Sequence, residues 1–105
     1  MTAPPSIQWP GQSGKSYTYQ IYPIDQAFND VGGNYIFAKV SGGYWTPLYI
    51  GETNSLKNRL DNHEKRPCAL RNGATHIHAH ANSGGQARLD EETDLVRKWK
   101  PTCNE

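Results

Sequence analysis

The chain has 105 residues, enough for one small domain with one modest core. Its 11 Lys and Arg nearly balance its 10 Asp and Glu, for a net charge of +1. That balance excludes a strong field drawing in nucleic acid at long range, so any polyanion site has to come from local clustering. The cysteines are Cys68 and Cys103, 35 positions apart, with neither metal-ligand nor catalytic spacing. They read as reduced thiols of a cytoplasmic protein rather than as a lone disulfide. No apolar run is long enough for a signal peptide or a membrane span, so no membrane partner is expected.

Residues 1–15 hold three of the seven prolines with several Gly and Ser, and read as an irregular tail that Ile7 and Trp9 could pin. Residues 16–105 read as a single domain. "SYTYQIYPI" (16–24) alternates and is rich in aromatic residues, which predicts a strand, and Pro23 puts its end or an edge there. "DQAFNDVGG" (25–33) is a turn-rich link. "NYIFAKV" (34–40) is a strand apolar enough to be central. Gly42 and Gly43 mark a turn, and "LYIG" (48–51) returns as its partner.

Residues 53–65 read as a helix capped by Thr53 or Asn54 and stopped by Pro67. "ATHIHAHA" (74–81) alternates strictly and predicts a strand. After a loop over 82–85, residues 86–100 form a second helix closed by Pro101. The order predicts an α+β fold: a small, mainly antiparallel three-stranded sheet flanked by helices, with 16–24 as an added N-terminal edge strand.

The second helix carries three acids in a row, Asp90, Glu91 and Glu92. At about 100° per residue, Leu89, Leu95, Val96 and Trp99 share one sector. Glu92 falls in its middle, Glu91 at its margin, and Asp90 and Asp94 on the polar side. Asp90 and Glu91 then read as solvating charges near a helix start. A carboxylate on the apolar face needs compensation, from a buried arginine, a metal or several donors. On the first helix Leu56, Arg59, Leu60 and His63 share one face. Taken singly, Arg59 is a solvated charge and His63 a surface or core-edge imidazole. Together the two helices offer an acid, a fixed cation and a titratable ring to one sheet.

At this point the residues resemble the GIY-YIG nuclease superfamily. Gly33-Asn34-Tyr35 stands in the place of G-I-Y, and Tyr49-Ile50-Gly51 is Y-I-G itself. Arg59 follows Tyr49 by ten positions, where the family keeps its catalytic arginine, and His63 comes four later, where relatives carry His or Tyr. Glu92 precedes Pro101 by nine, where the family keeps its metal-binding glutamate, ahead of Pro-x-x-Asn (Pro101 to Asn104). The likeness spans about residues 32–104. It implies a phosphodiester hydrolase acting on nucleic acid, DNA before RNA, with one Mg²⁺ or Mn²⁺. Glu92 would bind the metal and Arg59 the phosphoryl group. Tyr35, Tyr49 or His63 would take the proton from the attacking water. The residue after Y-I-G, often basic in relatives, is here Glu52, which would either hold a water or pair with Arg59. Nothing resembles a separate DNA-recognition domain, so the alternative is a binding module of the same fold without turnover.

Three further clusters complete the reading. Lys57, Lys65, Arg66 and Arg71 lie near Arg59 and would serve either as a solvated surface or as a patch tracking a nucleic-acid backbone. Tyr44 and Trp45 stand at the hairpin, as edge packing or as a stacking surface for an unpaired base. His76, His78 and His80 share one strand face, which is either a zinc site or a sheet face that is solvated or covered by the N-terminal segment. At i, i+2 and i+4 they span roughly 13 Å, too far for one ion without further ligands.

Overall fold

In a computed structural model, residues 4–105 are described. Five strands make one antiparallel sheet: β1 (Ser6–Pro10), β2 (Ser16–Pro23), β3 (Gly33–Ser41), β4 (Tyr44–Thr53) and β5 (His76–Ala81). Their spatial order is β1-β2-β5-β3-β4. Three helices join them: α1 (Leu56–Asp61), α2 (Arg66–Arg71) and α3 (Gly85–Trp99), with a closing 3₁₀ turn at Thr102–Asn104.

β3 is paired on both sides, and Gly33 through Ala38 are all buried. Alternation along it feeds two cores. Tyr35 and Phe37 face one, with Leu56, Leu60, Ala69, Ile77 and Ala79. Ile36 and Ala38 face the other, with Trp9, Tyr19, Ile50 and Leu95. Helices α1 and α2 cover the first face and α3 the second, so a one-residue slip of β3 would exchange both cores. Each large apolar side chain so buried contributes about 1.5–3 kcal/mol.

Several expectations are corrected. The sheet has five strands, not three. The stretch expected to be an irregular tail contains β1; residues 1–3 lie outside those described. β2 is not an edge: β1 pairs with its outer side, and Trp9 fills the second core. The helix expected over 53–65 ends at Asp61, because Asn62 leaves helical geometry. Its cap is Ser55, whose hydroxyl accepts from the Asn58 amide at 3.2 Å, rather than Thr53 or Asn54. Pro67 does not stop that helix. It stands in the first turn of α2, where its missing N–H is harmless.

β4 is the sheet edge, and its exposed backbone is capped from the chain's end. The Asn104 carboxamide accepts from the Ile50 amide and donates to the Ile50 carbonyl, both at 2.8 Å. One side chain thereby imitates a missing strand. The cysteines are not free thiols: Cys68 on α2 is bonded to Cys103 beside Asn104, closing a loop across 35 positions. Chain spacing carried no sign of this, since folding alone brings α2 against the closing turn. Loop closure of that length is worth about 3–4 kcal/mol. Dithiothreitol, or paired Cys68→Ser and Cys103→Ser substitutions, should lower the thermal midpoint by at least about 10 °C for a chain this size. A melt insensitive to both would show that the bond does not constrain the fold.

Candidate active site

Two glycines admit the site's geometry. A Cβ on Gly51 would lie 2.5 Å from the Tyr35 hydroxyl and 2.9 Å from the Tyr49 ring. The bare Cα therefore lets the Tyr35 phenol lie beside the Gly51 backbone. A Cβ on Gly33 would strike the His80 carbonyl and would lie 2.8 Å from the Leu56 side chain. These are the first and last glycines of the G-x-Y and Y-I-G pair, and both serve close approach.

Tyr35, from β3, is buried, and its hydroxyl is 2.6 Å from His63 Nε2. His63 follows α1 and is itself buried; its Nδ1 accepts from the Lys65 backbone N–H at 3.0 Å. That bond assigns the tautomer: Nδ1 keeps its lone pair, Nε2 carries the proton, and Nε2–H donates to the Tyr35 oxygen. Burial and the nearby Arg59 charge lower the His63 pKa to about 4, so the ring is neutral at pH 7. Tyr49, half-buried, stacks against Tyr35 with centroids 6.1 Å apart and meets the His63 ring at 5.0 Å. Burial and the neighbouring Tyr49 push the Tyr35 pKa up, while Arg59 pulls against them.

Arg59, on α1, makes a two-pronged bond to Glu64 at 2.6 and 2.8 Å. This bond raises its pKa and lowers that of the exposed Glu64 to about 2. Glu52 neither pairs with Arg59 nor stands alone: its carboxylate takes Arg88 Nε at 3.1 Å. Arg88 also donates to the Asn82 carbonyl, and its own carbonyl accepts from the buried Asn34. Arg88 precedes Glu92 by one helical turn, a spacing that signals a pair with Glu92, but it reaches instead to Glu52 on β4, so its role at this rim left no sign in the helix.

The acids of α3 are sorted differently from the projection. Glu91 is the buried one, 5% exposed, accepting from Tyr19 at 2.6 Å and from His80 Nε2 at 2.7 Å. It is no solvating charge. Leu89, assigned to the apolar face, is 46% exposed. Glu92 is half-buried, and among the described residues it has no ion-pair partner. Burial and the Glu52 carboxylate raise its pKa, with the Glu52 backbone N–H opposing. Glu92 is also close enough to Tyr35 to oppose its ionisation. Tyr35, Tyr49, His63 and Arg59 thus form one contact group, with Glu92 and Glu52 at its rim.

Of the basic residues, Lys57 and Arg71 are exposed, while Lys65 and Arg66 are half-buried and Arg66 donates to the Ile24 carbonyl. The zinc reading of β5 is overturned. His78 accepts from Trp9 Nε1 at 2.9 Å, His80 is held by Glu91, and His76 bonds Thr75. Among the described residues no group of three His, Cys, Asp or Glu could hold a metal. A zinc cage is therefore absent there, whereas a hard dication bound by one or two carboxylates and otherwise hydrated fits Glu92 beside Glu52. Among the described residues no helix is long and apolar enough to cross a membrane.

No family model matches the chain, and no curated protein matches it. Among solved structures it is similar to the GIY-YIG N-terminal endonuclease domain of UvrC from Thermotoga maritima bound to its catalytic divalent cation, magnesium. The identity is 27%, over 78% of this chain and 91% of that one, with TM-score 0.61. It is likewise similar to a tyrosine-to-phenylalanine mutant of that domain, at 27% identity, 78% and 90% coverage and TM-score 0.59. An asparagine-to-alanine mutant gives 28%, 76%, 88% and 0.57. The fold is that of a GIY-YIG domain.

Two imidazoles give this protein an acid-side weakness. Burial, helped by the charge of His76, lowers the His78 pKa to about 4, matching His63. Below about pH 6.5 the unfolded chain binds protons that these two native rings refuse. The contribution of these two rings is therefore full above that pH and should fall between about pH 6.5 and 4, by on the order of 1–3 kcal/mol per ring. His80 runs oppositely: burial resists its charge, but the hydrogen bond and charge of Glu91 outweigh this and raise its pKa. Its contribution is present below pH 6.5 and is lost as pH rises through the native value. Urea unfolding across this range should show the acid fall, and His63→Gln should flatten part of it. An unchanged slope in that variant would contradict the assignment.

Proposed function

We propose that this chain is a divalent-metal-dependent endonuclease that hydrolyses phosphodiester bonds in nucleic acid, DNA ahead of RNA. The observation that carries the reading is Glu92: a half-buried carboxylate without a cation, facing a second carboxylate, at the rim of the Tyr35, His63 and Arg59 group. The likeness to a metal-bound GIY-YIG endonuclease domain supports it.

Glu92 would hold Mg²⁺ or Mn²⁺, with Glu52 beside it and waters completing the shell. The metal would supply charge stabilisation at the scissile phosphate. Arg59 offers a planar two-pronged donor, matched to a phosphoryl group as it is to the Glu64 carboxylate it now holds. His63 is an orienting donor rather than the base, because its lone-pair nitrogen already accepts from Lys65. Tyr35 is the proton acceptor by position: its oxygen faces the His63 Nε2–H and the Arg59 charge. Burial and Tyr49 outweigh Arg59 and raise its pKa, so the phenol is protonated in the free protein and accepts only after losing that proton. Tyr49 packs against it. Lys57, Lys65, Arg66 and Arg71 form the backbone-tracking patch. The setting is a compartment that oxidises thiols, since Cys68 and Cys103 are bonded and the thiol argument for a cytoplasmic protein is gone.

Purified protein should nick DNA with Mg²⁺ or Mn²⁺ and not with chelator. Glu92→Gln and Arg59→Ala should each cut the rate at least about 100-fold. Glu92→Gln should melt no lower than wild type, since it removes one of two neighbouring carboxylates. Retained cleavage in either variant would sink the mechanism. Salt-sensitive binding with no cleavage across metals and substrates would support the second reading, a binding module.

A further inference from the structure

A cavity of about 380 Å³ opens along the outer edge of β4, away from the Tyr35 group. Its walls carry two indole rings, Trp45 and Trp99, two lysines, Lys39 and Lys100, and the carboxamide of Asn72. The register of β3 against β4 shifts between Phe37 and Ala38, beside Lys39. Such bulges re-aim side chains at sheet edges. Trp45 is braced edge-on against His76 and His78, at 5.0 and 4.5 Å between centroids. Trp99 is fixed by its Nε1–H on the Pro10 carbonyl at 2.9 Å. Asn72 is held by its amide nitrogen on the Cys68 carbonyl at 2.8 Å. These are rigid aromatic and polar groups, not a collapsed apolar face.

Lys100 adds an independent sign. It ends α3 in the left-handed region, at φ 45° and ψ 59°, the one described non-glycine residue with positive φ. Glycine or asparagine is the usual choice at such a helix end, and lysine there is strained. The strain places a cation at the mouth of the cavity. Lys39, on the facing strand, supplies a second.

We infer that this cavity is a nucleotide subsite, where an unpaired base of a single-stranded segment inserts beside Trp45 and Trp99 while its phosphates meet Lys39 and Lys100. Aromatic faces accept any base, and lysines accept a phosphodiester without reading sequence. Along β4, Trp45 lies roughly 13 Å from Tyr49, but it packs with the second core and Tyr49 with the first, so a strand held at both would have to pass round the β4 edge. The inference rests on the nuclease reading for the strand's fate, but its binding test stands apart from cleavage.

Tryptophan fluorescence titrated with a short single-stranded oligonucleotide should quench saturably, and less so at high salt. The titration needs no turnover and is repeated in Glu92→Gln. Lys39→Gln and Lys100→Gly should each weaken binding about fivefold or more, with kcat at saturating substrate changed less than twofold. Lys100→Gly should also raise the thermal midpoint by relieving the backbone, so its weaker binding would not be a folding defect. Unchanged affinity in both variants overturns the subsite. So does a mononucleotide that binds as tightly as the oligonucleotide, which would make the cavity a small-molecule pocket. Loss of binding in the lysine variants of a protein that cuts nothing would sustain the subsite and sink the nuclease.

Discussion

The bond between the Tyr35 hydroxyl and His63 Nε2, 2.6 Å and buried, is the contact on which the rest of the site depends. It ties the doubly paired strand β3 to the turn between α1 and α2. Gly51 makes room for the phenol on one side. The Lys65 N–H fixes the imidazole on the other. With that turn anchored, Arg59 one helical turn earlier and Glu64 one residue later are set at the same rim. An unmade bond here would strand two buried polar groups, each costing about 1–3 kcal/mol. The turn is therefore held firmly although it belongs to no helix or strand.

The second constraint is the edge of β4. Its inner side pairs with β3, and its outer side would offer free backbone groups to any passing strand. Asn104 occupies that edge at Ile50, between the tyrosine and the glycine of Y-I-G. The disulfide fastens the neighbouring Cys103 to α2. The same closing segment thus protects the sheet, orders the strand that carries Tyr49, and lines the cavity beside Trp45.

How much of this was legible in the sequence differs from residue to residue, for physical reasons. The β3–β4 hairpin was readable because Gly42-Gly43 and alternation are local signals. β5 was readable from strict alternation. β1 was not: prolines flank it, and its strand character comes from pairing with β2 and burying Trp9. On α3 the projection placed the inward face by its apolar residues and so chose Glu92 over Glu91. Glu91 is the acid that goes inside, because Tyr19 and His80 wait there with donors. Those partners come from other strands and leave no trace in the helix's own pattern. The projection nevertheless marked Glu92 as misplaced, and it remains a half-buried acid with no ion-pair partner among the described residues. Glu64 escaped notice because Arg59 reaches it across the end of α1, where helical spacing no longer applies.

The charge pairs around the site differ in how firmly they are closed, and that difference separates scaffold from working parts. Glu91 with His80 is sealed, so breaking it would leave a buried charge. Arg88 with Glu52 is mostly covered and further fixed by Asn82 and Asn34. Arg59 with Glu64 is open: the Glu64 side chain is 64% exposed, and water can solvate it as well as the arginine does. Among these pairs it is the one an incoming anion can exchange most readily. A phosphate presents the same two-oxygen face as a carboxylate, with more charge. In the proposed mechanism Glu64 would hold the guanidinium in its binding geometry until a phosphate replaced it, while Arg88 keeps Glu52 in place. Spacing singled out Arg59 and passed over Arg88. Burial makes Arg88 structure and, in the proposed mechanism, would leave Arg59 available for substrate.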